Sequence, residues 1–318
     1  MRYAFVVNPI SGTGKKDKDI ISAAEELVAN HRDKDIGIYH TMPNHDSSRI
    51  AASLAEDAKK AGEDIVIFSC GGDGTAHVTA NGIYGYDNAI LGIVPIGTGN
   101  DLCRALSKGK GSYKDYRDLE KQISGRPRAI DVIEISWDED GEIKSCIAVN
   151  GVNIGFDGNT AIRASRIHEK TIISGSMAYL AAVFATLAKK EGQSLRITAD
   201  DEPFYDGDLL MATMSNGNYC GGGIESCPNA RLDDGLIELM AIRDVSRLSF
   251  VSKFPKFSAG KLFEIKDVEK IATYRQARRI CIEPLKDDTM EYVIDGEVFR
   301  TPKIEAEIKP GALRVWEI

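Results

Sequence analysis

Long apolar runs are missing from this sequence. The longest uncharged one, Met177–Ala188, falls well short of the ~20 residues a membrane-spanning helix needs. The opening stretch Met1–Pro9 is likewise too short an apolar run for a secretion signal. Excess positive charge is missing too. Lys and Arg number 40 against 48 Asp and Glu, a net charge of -8, which argues against a nucleic-acid partner held by bulk positive field. The six cysteines, Cys70, Cys103, Cys146, Cys220, Cys227 and Cys281, form no C-x-x-C pair and match no zinc spacing. Several sit in apolar runs, as reduced core thiols do, so a cytoplasmic location is expected. There is no internal repeat and no low-complexity tract. What remains is an ordinary globular composition, 43% hydrophobic and 28% charged, over 318 residues, enough for about two domains.

The stretch Ser69-Cys70-Gly71-Gly72-Asp73-Gly74-Thr75 organises the first half. Ile65–Phe68 before it reads as a buried parallel strand. Thr75 reads as the N-cap of a helix beginning Ala76-His77-Val78. A strand, a glycine turn and a helix start make an anion site, because backbone N–H groups and the helix dipole face the same point. Asp73 is the unusual member. A carboxylate beside phosphates is repulsive unless a cation lies between them, which suggests a metal–nucleotide complex. A tight turn with no ligand is the other reading of these residues alone.

Two more strands end the same way. Residues 2–7 run into Asn8-Pro9-Ile10-Ser11-Gly12-Thr13-Gly14, followed by a helix through about Val28. This loop is neither a complete G-x-G-x-x-G, since position 17 is Asp, nor a G-x-x-x-x-G-K-[ST]. A strand at Ile36–His40 leads to Thr41. Asp46 or Ser47 then caps a helix with the apolar face Ile50, Leu54 and Ala58. Residues 89–94 form another buried strand, ending in Pro95-Ile96-Gly97-Thr98-Gly99-Asn100-Asp101 before a helix from Leu102. Parallel strands in an open α/β sheet deliver their C-terminal ends to one edge, where ligands bind. Three phosphate-suited turns on one edge, at 8–14, 71–75 and 97–101, point to a nucleotide.

From about Arg128 the texture changes. Ile130–Ile135 alternates as a half-buried strand, Asp138–Gly141 reads as a turn, and 144–154 as a second strand. On spacing alone, Asp131 is a strand-end carboxylate facing solvent. Helical patterns occupy 159–169 and 175–190. Strand signals dominate afterwards, at 194–199, 207–215, 235–242, 277–283, 290–294, 297–300 and 303–308, which implies an antiparallel sandwich or barrel-like domain. The expected division is 1–127, joined by 309–318, and 128–308. Asp-Gly pairs occur six times, at 73, 140, 157, 206, 234 and 295, so the pair alone marks no site. Asp295-Gly296, between alternating apolar residues, predicts a type I′ turn that holds Asp295 and Glu297 rigidly.

Five motifs in order carry a family resemblance: Asn8-Pro9-x-Ser11-Gly12-x-Gly14, Gly71–Thr75, Pro95-x-Gly97-Thr98-x-Asn100-Asp101, Leu232–Leu236 and Asp295-Gly296-Glu297. The set resembles the bacterial diacylglycerol kinase family of soluble lipid kinases, related to sphingosine and ceramide kinases, over nearly the whole chain. The resemblance implies an N-terminal open parallel α/β sheet, NAD-kinase-like, with a C-terminal antiparallel β-sandwich domain. It implies ATP contacted by Asn8, Pro9, Ile10, Ser11, Gly12, Thr41, Gly71, Gly72, Asp73, Gly74, Thr75, Ala76, His77 and Thr98. Glu297 would be the general base toward a lipid hydroxyl such as that of diacylglycerol. Asp73, Asp101, Asp131 and Asp295 would form the network that positions a catalytic Mg²⁺. A second, structural Mg²⁺ would rest on Asp234 with the carbonyls of Arg231 and Leu236. His77 departs from the pattern, standing where relatives usually carry Asn. The chemistry agrees, because phosphoryl transfer asks for positioning and charge neutralisation rather than covalent steps.

A lipid acceptor implies transient contact with a membrane surface, and the family pattern allows a homodimer. Arg243 to Lys270 interleaves Phe250, Phe254, Phe257, Leu262 and Phe263 with Arg247, Lys253, Lys256, Lys261 and Lys266. Such a stretch either rests on an anionic bilayer or packs its Phe face on the sheet, and packing is the expectation. Arg104, one helical turn past Asp101, reads as a partner for Asp101 or phosphate, or as a surface ion pair. Two rival functions share the G-G-D-G core or its fold: an NAD kinase-like small-molecule kinase, and a catalytically silent lipid- or nucleotide-binding regulator. The G-T-x-N-D context of Asn100-Asp101 speaks against the first, and intact Asp73, Asp101, Asp295 and Glu297 against the second.

Overall fold

Four short runs, β1 (Arg2–Val7), β2 (Asp35–His40), β3 (Ile65–Gly71) and β4 (Ala89–Pro95), pair in parallel in the order β4-β3-β1-β2. The computed structural model of the chain describes residues 1–8, 15–42, 46–155 and 192–318. Every residue of β3 and β4 is buried, as expected for central strands of a parallel sheet. Phe68 of β3 stacks on Phe5 of β1 with ring centroids 4.6 Å apart. Val66, Ile90, Val94, Leu27 and Trp316 complete this core. Truncating a phenylalanine at such a position costs about 3–5 kcal/mol.

The helices between these strands are α1 (Lys15–Asn30), α2 (Asp46–Lys60) and α3 (Asp73–Ile83). The face that α2 buries is not Ile50 and Leu54, which are only half-buried. It is the small-residue stripe Ser47, Ala51, Ala55 and Ala58. The reason is proximity to α3: a β-carbon on Gly82 would strike the backbone of Ser48. Helices that approach this closely need small residues at the contact, so the bulkier side chains turn away.

The described chain divides into two units, Met1–Asp131 with Pro310–Ile318, and Val132–Lys309. The first also holds α4 (Asp101–Ser107) and α5 (Leu119–Gln122). β5 (Arg126–Glu139) and β15 (Ile304–Glu317) contribute residues to both units. The end of β15 joins the parallel sheet beside β4, with Val315 opposite Leu91.

The second unit is antiparallel. Its strands include β6 (Glu142–Ala148), β7 (Gly151–Gly155), β8 (Gln193–Ala199), β9 (Glu202–Ser215) and β10 (Ile237–Arg243). β11 (Ala272–Ala277), β12 (Arg279–Pro284), β13 (Met290–Ile294) and β14 (Glu297–Thr301) follow. One path runs β14-β13-β7-β9-β8-β12-β15, and β10 pairs with β9 and β11. Inward residues such as Ile133, Ile154, Ile197, Leu239, Ile282 and Tyr292 share one core, the arrangement of an antiparallel sandwich. The predicted strand 144–154 is really two, β6 and β7, broken at Val149-Asn150. The predicted strand 277–283 likewise splits, at Arg278 between β11 and β12. Burial over 130–133 is continuous rather than alternating, and Asp131, at 3% exposure, does not face solvent.

The helix Arg247–Ser258 packs Phe250 and Phe257 onto Leu210, Met211, Met240 and Ile242, as the packing reading expected. The expected helices at 159–169 and 175–190, and the loop residues 9–14, lie outside the described residues. All six cysteines are free, and burial pushes the Cys70 and Cys103 thiols well up, so they stay protonated. Among the described residues no helix is long and apolar enough to cross a membrane.

Candidate functional site

The first unit presents the C-terminal ends of four parallel strands at one sheet edge. Asn8 follows β1, Thr41 follows β2, Gly72 follows β3 and Ile96 follows β4. Asn8 N donates to Cys70 O at 3.3 Å, and Thr41 N to Val7 O at 2.9 Å, so both stay attached to the sheet. Of the expected ATP contacts, Pro9, Ile10, Ser11 and Gly12 lie outside the described residues.

The turns after β3 and β4 are clamped together. Ile96 N and Gly97 N both donate to Gly71 O, at 3.1 and 3.2 Å. A β-carbon on Gly97 would run into Gly72, so the approach requires glycine. Thr75 is not the N-cap. Gly72 caps α3 with extended backbone, Asp73 is the first helical residue, and Thr75 lies inside the first turn with its side chain against Gly71. Ala76 N makes the first intrahelical bond of α3, to Gly72 O at 3.0 Å, and amides ahead of such a bond have no carbonyl four residues back in their own helix. Ala76 and His77 are buried behind the turn, and the Asn81 side-chain amide donates to His77 O at 2.9 Å. Thr98 is exposed at the tip of the second turn.

Asp73 reaches a second helix. Its Oδ1 accepts Asp101 N at 2.7 Å and Leu102 N at 3.4 Å, capping α4 across the gap. A carboxylate at that position is stabilised by the α4 dipole. Asn100 sits in left-handed backbone, φ 57°, and its side-chain amide donates to Gly97 O at 2.8 Å. Arg104 donates from Nε to Gly99 O at 3.0 Å, lies 3.9 Å from Asp101 and stacks 4.2 Å over the Tyr113 ring. It therefore braces the turn rather than forming a surface ion pair.

A β-carbon on Gly99 would lie 2.5 Å from Asp73 Oδ2 and 3.6 Å from Asp101 Oδ2. Two carboxylate oxygens thus converge over one glycine, in space that any side chain would fill. All donors there are hard oxygens, which suits Mg²⁺. Among the described residues no group of three or more His, Cys, Asp or Glu is placed to hold a metal. Mg²⁺ commonly uses one or two carboxylates plus waters and substrate phosphates, so the pair is the kind of donor set it takes. Asp131 is placed differently: its Oδ1 accepts Gly311 N at 2.8 Å.

The second unit carries Asp295 and Glu297. Ile294 pairs with Glu297 across a two-residue turn, with φ 48° at Asp295 and 100° at Gly296, the positive pair that a type I′ turn demands. The Asp295 carboxylate is 6% exposed and accepts three backbone amides: Val149 N at 2.7 Å, Asn150 N at 2.9 Å and Gly151 N at 2.8 Å. These amides point at a side chain instead of a strand, which is why β6 and β7 separate there. Glu297 opens β14, half-buried, two residues from this anchor.

Arg231, Asp234 and Leu236 share one turn. Asp234 Oδ1 accepts Leu236 N at 3.1 Å, and buried Leu232 pins the turn down. Oxygen donors dominate here as well, which fits a cation of the Mg²⁺ or Ca²⁺ type. Sequence reading assigned no role to two buried residues nearby. Asn218 spreads its side-chain amide over the carbonyls of Cys227, Pro228 and Ala230, at 3.1, 3.1 and 2.7 Å. Glu238 is 2% exposed and is held by Tyr274 Oη and by Gln276 Nε2. Burial pushes its carboxyl above the ordinary value. The signal for Glu238 was available: a lone acid inside the apolar run Ile237–Ile242.

Two family models match the chain. "Diacylglycerol kinase catalytic domain" covers residues 2–135, and "YegS C-terminal NAD kinase beta sandwich-like domain" covers residues 150–317. A diacylglycerol kinase of Mycobacterium tuberculosis (strain ATCC 25618 / H37Rv) is 30% identical over 98% of this chain and 93% of its own length. A protein of Pseudomonas aeruginosa PAO1 named "Probable lipid kinase YegS-like" is 28% identical over 89% of this chain and 84% of its own. The fold also matches a crystal structure described as a diacylglycerol kinase from Bacillus anthracis str. Sterne. It has a TM-score of 0.67 at 22% identity, covering 99% of this chain and 96% of that one.

Proposed function

This chain belongs to the diacylglycerol kinase family of lipid kinases, and from that premise we propose that it transfers the γ-phosphate of ATP to the hydroxyl of diacylglycerol or a similar lipid alcohol. The lipid oxygen forms the new bond to phosphorus, the bond from phosphorus to the bridging oxygen breaks, and ADP leaves. The observation that carries the reading is the clamped pair of turns, 71–75 and 97–101, with Asp73 and Asp101 converging over Gly99. Residues Gly71 to His77, with Asn8 to Gly12, Thr41 and Thr98, hold the nucleotide. Asp73 and Asp101 would hold Mg²⁺, which would supply electrostatic stabilisation of the phosphates.

Glu297 takes the proton from the acceptor hydroxyl. Asp295 and Asp131 act as positioning residues. Asp295 fixes the turn that seats Glu297, and Asp131 holds the chain at Gly311. Asp234, with the carbonyls of Arg231 and Leu236, holds a second Mg²⁺ that stiffens its turn. The protein works in the cytoplasm and touches the membrane surface where its acceptor resides.

The test is phosphate transfer from labelled ATP with Mg²⁺, offering detergent-dispersed diacylglycerol, other lipid alcohols and NAD in parallel. Transfer to a lipid is expected. Glu297→Ala is expected to fold and bind ATP while turnover falls at least ~100-fold. Transfer to NAD alone, or no transfer to any acceptor, overturns the reading. Wild-type turnover in Glu297→Ala removes that residue as the base.

A further inference from the structure

Eight large apolar side chains are exposed among the described residues, and three of them, Leu248, Val251 and Phe263, fall within sixteen consecutive positions. Leu248 and Val251 stand three apart on the helix Arg247–Ser258, and exposed Pro255 continues their stripe four residues on. This ridge points away from the face that packs on the sheet. Phe250 and Phe257, with Leu262 and Ile265 just beyond the helix, are buried beneath it. Leu248 is 82% exposed, so the feature is a ridge and not a groove.

The charges around it are also unusual. From 246 to 266 the sequence carries Arg247, Lys253, Lys256, Lys261 and Lys266 against the single acid Glu264, in a chain whose net charge is -8. Among the described residues of this unit other lysines pair with acids: Lys286 with Asp208, Lys303 with Glu305, Lys309 with Glu307. Lys253 and Lys256 instead bond neutral oxygens, Ser249 Oγ at 2.8 Å and the Glu264 carbonyl at 3.0 Å. No ion pair to a described carboxylate forms at Lys253, Lys256, Lys261 or Lys266. Cations without counterions beside an apolar ridge match an interface of negative headgroups over hydrocarbon.

We propose that the helix Arg247–Ser258 and the turn after it are the surface by which this protein rests on an anionic bilayer. Leu248, Val251 and Pro255 enter the headgroup layer, and exposed Lys256 and Lys261 flanking them face the phosphates. The inference rests on the lipid-kinase reading, because that reading places the acceptor in a bilayer, and it specifies which face meets the lipid.

The test scores flotation of the full-length protein with phosphatidylcholine vesicles, with and without about 30 mol % phosphatidylglycerol, in the absence of ATP. Binding is expected only with phosphatidylglycerol, weakening as salt rises. Lys256→Gln and Lys261→Gln are expected to weaken it about fivefold each. Leu248→Asp with Val251→Asp is expected to weaken it at least about tenfold. Both sites are exposed, so melting temperature and turnover on detergent-dispersed lipid should stay at wild-type values. Wild-type vesicle affinity in all three variants overturns the proposal. So does a change of the Asp variant from dimer to monomer in sedimentation, which would make this ridge a contact between copies. Because ATP is absent, loss of vesicle affinity in the variants upholds the surface even if no lipid is phosphorylated. Unaltered affinity sinks it even in an active kinase.

Discussion

Two Asp-Gly turns, one in each unit, use the same dipeptide in opposite ways. Asp73 opens a helix after a parallel strand, and only its Oδ1 is drawn off to cap α4, while Oδ2 looks over Gly99 toward Asp101. Asp295 closes a hairpin, and both its oxygens accept backbone amides, three in all. The first arrangement brings Oδ2 beside the Asp101 carboxylate over Gly99. The second spends its charge on holding three amides. On the proposed reading Asp73 serves the chemistry and Asp295 the architecture, though the family pattern groups them in one network.

The sharpest way to break that assignment is to substitute both. Asp73→Asn keeps a carbonyl oxygen for Asp101 N but removes the charge. Turnover is expected to fall about 100-fold or more, the scale of a lost charge-stabilising group, with little change in urea midpoint. Asp295→Ala leaves three buried donors without an acceptor, at about 1–3 kcal/mol each. The second unit should lose about 3 kcal/mol or more, read from urea unfolding. If Asp295→Ala unfolds like wild type, or Asp73→Asn keeps full turnover, the two roles have been wrongly distributed.

A smaller effect sharpens the first half. Gly99→Ala puts a methyl group 2.5 Å from Asp73 Oδ2, so the carboxylates must move apart. No left-handed backbone is required at Gly99, so folding should be little affected. The Mg²⁺ concentration for half-maximal turnover is expected to rise about tenfold, equal to ~1.4 kcal/mol. An unchanged Mg²⁺ requirement would move the cation away from Gly99.

The same contrast explains what could be read from residues in sequence and what could not. β-branched runs ending in glycine turns are local signals, and β1, β3 and β4 appear where those runs stand. The break at Val149-Asn150 had one local signal, the Asn150-Gly151 pair, which the strand reading of 144–154 ran through. Its cause is a carboxylate 145 residues away. Thr75 was misplaced for the opposite reason. A threonine before a helical run is a strong local cap signal, but Gly72 could start the helix earlier, and the nearest capping carboxylate, Asp73, went to a different helix. The small-residue face of α2 was hidden because Ile50 and Leu54 are more apolar than Ala51 and Ala55. Only the approach of Gly82 decides which face is buried. Local chemistry predicts elements; the partners of a buried polar group depend on tertiary contact.

Glu317 offers a third kind of buried carboxylate and the smallest predicted effect. Its Oε1 meets two cations, accepting from Lys110 Nζ at 2.5 Å and Arg128 Nη1 at 2.9 Å. Burial alone would push its carboxyl up, but hydrogen bonds from Lys110 and Arg128 outweigh that and hold it below the ordinary value of 4.5. A carboxylate whose folded value is depressed contributes stability that is fully present above its unfolded value. That stability is lost as pH falls through the folded value. Glu317→Gln should therefore lower the urea midpoint of the first unit at neutral pH. The gap to wild type should close progressively below pH 4.5, as wild-type Glu317 takes up its proton. Asp295→Gln, held by amides in the other unit, should leave that acid-side closure intact. A gap between Glu317→Gln and wild type that widens with acid would show that the two cations, and not the carboxylate, are what the fold needs at this position.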